Sequence, residues 1–142
     1  MTVRTILARP VAADTGVLPG LAVYDDKGEI KVAEESTQPD TLGLVPLGIA
    51  MTDAAGGVAD VVAEGEVNGL AGAAIPAGSA IVAQVDTGRL IPLDGALIGT
   101  LTEGSVIWLV GRALEAATGD GSQFRAFVRP IPFTVPTAPS GG

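Results

Sequence analysis

Twenty glycines and ten prolines in 142 residues leave this chain little room for a long helix. The residues between them are mostly Val, Ile, Leu and Ala, while aromatics make up only 4%. Sixteen Val and nine Ile favour strands, because β-branched side chains pack well on a pleated surface. An all-β chain is the expectation. At this length it makes one domain with a real core. The stretch from Gly65 to Pro92 carries the pattern most clearly. Gly69, Gly72 and Gly78 punctuate its small-residue half. The run Ala80 to Val85 then meets a return run from Arg89 to Leu93 across Asp86-Thr87-Gly88. That spacing predicts a hairpin, with Gly88 supplying the positive φ that closes it.

Other strands follow from alternation. Leu21 to Tyr24 and Glu29 to Val32 read as a hairpin about Asp25 to Gly28. Ala33 to Pro46 reads as a polar loop, Leu47 to Met51 as a strand, Asp53 to Gly57 as a turn and Val58 to Ala63 as a strand. The run from Ser105 to Val110 is apolar on both faces, so it is either central in a sheet or turned toward another subunit. In Gln123 to Arg129, alternation puts Phe124, Ala126 and Val128 on one face and Arg125, Phe127 and Arg129 on the other. An aromatic between two arginines on a wet face marks an interface candidate.

The two halves repeat the same order. Leu18 to Val23 corresponds to Pro76 to Ile81, and Asp26 to Ile30 to Asp86 to Leu90. Gly48 to Gly56 corresponds to Gly111 to Gly119, and each half ends on a strand, Val58 to Ala63 or Gln123 to Val128. Two such units could close one small barrel or sandwich and so remove open sheet edges. Residues 1–15 read as an extended N-terminal arm, because Arg9-Pro10 disfavours helix and Pro10 lacks a donor. Residues 16–129 form the body. Residues 130–142 form a Pro-rich tail expected in polyproline or irregular extension. Its Ile131, Phe133 and Val135 are expected to dock on something, since a free tail is usually polar.

The chemistry available is narrow. The chain has no Cys and no His, which removes disulfides, thiolate metal sites, Cys–His pairs and Ser–His–Asp triads. A Ser–Lys pair would need Lys27 or Lys31, both at a predicted hairpin. The acid pairs Asp25/Asp26 and Glu34/Glu35 read as solubilising charge, and no phosphate-binding glycine loop occurs. No enzymatic activity, cofactor or metal is expected. The net charge of −8 argues against nonspecific nucleic-acid binding. Residues 32–111 hold ten acids against Arg89 alone, whereas Arg4, Arg9, Arg125 and Arg129 lie toward the ends. No apolar run is long enough to span a bilayer, and the first ten residues are too short in apolar character for a secretory signal. Synthesis in the cytoplasm is expected.

Several of these segments together resemble the small capsid-cement or head-decoration proteins of tailed bacteriophages. They are Pro19 to Tyr24, Pro46 to Met51, Glu64 to Gly69, Ala74 to Val82, Asp86 to Leu90 and Val110 to Leu114. The resemblance spans roughly residues 16–129. It implies a β-barrel or sandwich, usually trimeric, on the outer surface of a capsid. Its partners would be the major capsid protein and further copies of itself. On that reading the interface falls to Arg4, Arg9, Pro10, Trp108, Arg125, Phe127, Arg129, Ile131 and Phe133. The alternatives are another virion β-module, such as a tail or fibre component, or a small carrier domain.

Overall fold

A computed structural model describes residues 7–12, 19–26, 29–31, 46–52, 58–84 and 88–136. The fold is all-β, as the composition requires. Its strands are β1 (Leu7–Ala12), β2 (Ala22–Asp26), β3 (Glu29–Lys31), β4 (Gly48–Ala50), β5 (Val58–Leu70), β6 (Ala80–Ala83), β7 (Leu90–Pro92), β8 (Val106–Ala113) and β9 (Gln123–Thr134). One short helix, α1 (Gly95–Ile98), is an element the alternation did not predict. The Asp94 carboxylate starts it by accepting from the Leu97 N–H at 2.9 Å.

The strands pair in the order β3-β2-β4-β5-β9-β8-β6-β7, with β1 against β5. All these pairs are antiparallel. Seven of them, β2 to β7 along that order, curl almost into a barrel. The Ala22 N–H donates to the Gly88 carbonyl at 2.8 Å, and the Gly72 N–H to the Leu90 carbonyl at 2.8 Å, across the remaining gap. Ala22, Tyr24, Ile49 and Val62 meet Ile81, Ala113, Phe124 and Ala126 in the shared core. A second cluster lies outside the barrel wall, where Val82, Ile107 and Leu109 are covered by Val135, Phe133 and Leu97.

The pairing reveals a tandem duplication. The order β3-β2-β4-β5 recurs as β7-β6-β8-β9. Ala22 pairs Ile49 and Val23 pairs Gly48, just as Ala80 pairs Arg112 and Ile81 pairs Gly111. The thirteen residues of β5 are two strands joined end to end. Its first half closes the first repeat and its second half opens the second. Ala8 to Ala12 pair Val62 to Val58, and Glu66 to Leu70 pair Phe127 to Gln123 in the same five steps. The strand expected to stop at Ala63 therefore runs on. Gly48 and Gly111 occupy equivalent places, and at each a β-carbon would collide with the backbone of the next strand, at Val62 and at Phe127. Only glycine admits that approach.

The first and last described segments both join the sheet. Residues 7–12 are β1, paired with β5 of the same chain rather than extended away as an arm. Pro10 is tolerated because β1 pairs with β5 alone among the described strands, which leaves an outer edge that needs no donor. Residues 130–134 continue β9 as strand, not as polyproline: Ile131 pairs Leu109 and Phe133 pairs Ile107. Within the chain this segment lies against β8. The Val135 N–H donates to the Ser105 carbonyl at 2.8 Å. By the two-residue period, Pro130 and Pro132 direct their nitrogens to the opposite edge, where β5 has already ended its pairing at Val128.

The apolar run in β8 is central, between β6 and β9. An irregularity between Leu109 and Gly111 turns Ile107 and Leu109 outward and Val110 and Ala113 into the barrel. The hairpin between β6 and β7 has Gly88 at φ 69°. The expected loop at Ala33 to Val45 and the turn at Asp53 to Gly57 lie outside the described residues.

Candidate functional site

The outer face of β8 and β9 carries the site. Register places Arg112 directly opposite Phe127, and Leu109 opposite Ile131. Their side chains leave a groove of about 320 Å³. Its floor is apolar: Ala80, Leu109, half-buried Phe127 and exposed Ile131 line it. Gly78 and Gly111 also line it, and a β-carbon on Gly78 would meet nothing within 4 Å. Arg112 and Arg129, both exposed, complete the lining.

Among the described residues, charge sets this groove apart. Arg125 pairs with Glu66, Nε to Oε1 at 3.1 Å, and Arg89 pairs with Asp120. The Arg125 N–H also donates to Glu115 Oε1 at 2.9 Å. Among the described residues, Arg112 and Arg129 have no carboxylate partner. A larger groove of about 710 Å³ runs past Gly20, Met51, Glu66, Asn68 and Arg125. Its charges are already satisfied by the Glu66–Arg125 pair, so it offers less to a charged partner.

The sequence candidates divide accordingly. Phe127, Arg129 and Ile131 come together in the groove. Trp108 is half-buried on β8, in register with Pro132. Phe133 packs on the cluster of Val82, Ile107 and Leu109. Arg125 lines the other groove. Arg9 and Pro10 sit in β1, and Arg4 lies outside the described residues. Arg112 is the residue that alternation alone did not single out. The match of Gly111 to Gly48 was its available signal. Among the described residues no three acidic, His or Cys side chains gather to hold a metal ion. Among the described residues no helix is long and apolar enough to cross a membrane.

Among the described residues the deepest ionisable group is elsewhere. Tyr24 stands in the barrel core at 7% exposure, and burial pushes its phenol above the ordinary tyrosine range.

No protein-family model matches the chain. No curated protein sequence matches it either. Among solved structures, the chain is similar to the N-terminal base of the head fibre gp8.5 of bacteriophage phi29. The TM-score is 0.55 at 18% identity, over 90% of this chain and 95% of that one. The likeness lies in the fold.

Proposed function

We propose that this chain is a structural protein of a bacteriophage particle, seated on the outside of the head and bridging the subunits of its shell. The observation that carries this reading is the extent of the likeness to the head-fibre base, which covers nearly the whole of both chains. A likeness of that extent is more than the sharing of a common hairpin. The role is mechanical. Packaged DNA loads the joints between shell subunits, and a protein lying across a joint adds buried area there. Individual contacts below about 1,200 Å² are weak. Repetition over many equivalent sites, and association of copies with one another, supplies avidity. No cofactor or turnover is involved, and nucleic acid is not a partner.

Heads assembled without the protein test this. Adding it back should saturate a fixed number of sites and raise the temperature at which heads release DNA. The same structural likeness favours a second reading, the base of a longer head fibre. That reading predicts saturable binding with no gain in heat resistance. Heads that bind no protein would contradict both.

A further inference from the structure

Duplication gives each surface of one repeat a counterpart in the other, and one counterpart is uncovered. In the first repeat, Ala22, Ile49 and Val62 share a face that is fully buried in the barrel core. Their equivalents in the second repeat, matched through the common pairing, are Ala80, Arg112 and Phe127. These three line the groove. Gly20 shows the same contrast. A β-carbon there would press on Leu70, whereas one on the equivalent Gly78 meets nothing within 4 Å.

We infer that this groove is a docking site for an acidic segment of another protein that sets an apolar side chain between carboxylates. The inference rests on the proposed seat on a phage head, and the segment then belongs to a shell subunit. Charge complementarity is the first ground. The chain has a net charge of −8, yet among the described residues Arg112 and Arg129 stand without carboxylate partners beside one apolar groove. Guanidinium groups pair carboxylates in two-point geometry, and arginine and phenylalanine are enriched at interface centres. The lining itself is the second ground. It holds no amide, hydroxyl or carboxylate side chain, so a sugar's hydroxyls would find few partners there. A self-facing contact between two copies would set these arginines against their own counterparts.

The test is a binding titration of intact protein onto heads that lack it. Three forms are compared: the unaltered chain, the double variant Arg112→Glu with Arg129→Glu, and Phe127→Ala. A control, Arg89→Gln, alters a half-buried arginine outside the groove, where it pairs with Asp120. Circular dichroism melting confirms that each form folds. The double variant should bind at least ~30-fold more weakly and Phe127→Ala roughly tenfold more weakly, with the control unchanged. Added salt should weaken binding of the unaltered chain and, by screening the new repulsion between glutamates and carboxylates, slightly strengthen the double variant's residual binding. Equal binding by all forms overturns the docking site while leaving the seat on the head intact. Failure of the unaltered chain to bind overturns both. Sedimentation run alongside provides one more arm. Self-association lost in the double variant, with head binding retained, assigns the groove to a second copy and overturns the inference.

Discussion

The two repeats share a backbone and differ in what they hide. In the first, β2 and β4 are buried on both faces: Ala22 and Ile49 point into the shared core, while Val23 and Ala50 on the other side are also fully covered. In the second, β6 and β8 give the opposite face to that core. Ile81 and Ala113 point inward, and Ala80 and Arg112 are left outside. One pairing scheme therefore serves two different packings. Backbone constraints survived the duplication, as Gly48 and Gly111 show. Side chains on the face that changed environment did not, since Ile49 corresponds to Arg112 and Val62 to Phe127.

The strongest challenge to this comparison is made at the paired glycines. Gly48→Ala and Gly111→Ala should each destabilise the fold by about 3 kcal/mol or more, because the added methyl meets backbone that cannot turn aside. Urea unfolding measures both. Similar losses support equivalence. A harmless Gly48→Ala beside a damaging Gly111→Ala would break it.

A smaller and sharper contrast lies at Val62 and Phe127. Val62 is fully buried, and Val62→Ala should cost about 2 kcal/mol through lost burial and a residual cavity. Phe127 is the larger side chain but only half-buried, and Phe127→Ala should cost about 1 kcal/mol or less. The larger truncation having the smaller effect is the expected signature of opposite faces. The reverse order in thermal melts would place Phe127 in a core.

How much of this was legible follows from what each inference needed. β2, β4 and the hairpin at Gly88 depend on local alternation and a turn residue, and both stand in the sequence. β1 and the end of β9 were harder, because Pro10, Pro130 and Pro132 suggest chain that leaves the sheet. A proline forbids a strand only when neighbours lie on both sides, and the number of neighbours is a tertiary fact. Phe127 and Arg129 were visible as one face of a strand. Arg112 was not, because its place opposite Phe127 depends on the irregularity at Val110, which shifts the alternation of β8.

Tyr24 extends the comparison into pH. Its equivalent, Val82, lies outside the barrel wall, while Tyr24 is inside. Below about pH 10 the phenol is neutral in both folded and unfolded chains and pH has no effect through it. Above that value the unfolded chain ionises first, because burial holds the folded group's pKa up. Stability should then fall with rising pH, by up to about 1.4 kcal/mol per unit from this group. Tyr24 is the chain's one tyrosine, so its ionisation can be followed by ultraviolet absorbance without overlap from another phenol. Tyr24→Phe should flatten the slope. An unchanged slope in that variant would mean the phenol reaches solvent.

The smallest effect on stability should come where the duplication runs out. After the last strand of the first repeat, residues 65–70 continue and find β9 as a partner. After the last strand of the second, residues 130–134 continue in the same way. They pair with β8 on one side only among the described strands. An open edge invites another chain to add a strand. Pro130 and Pro132 blunt it by removing two donors from that side while costing nothing on the β8 side. Replacing both with Val should change folding stability by no more than about 0.5 kcal/mol, since no ladder bond is lost and β-propensity rises slightly. The same variant should associate edge to edge as concentration rises, visible by light scattering. An unfolded double variant would show that the prolines fix the course of β9. A folded one that stays as dispersed as the unaltered chain would show that this edge is already covered.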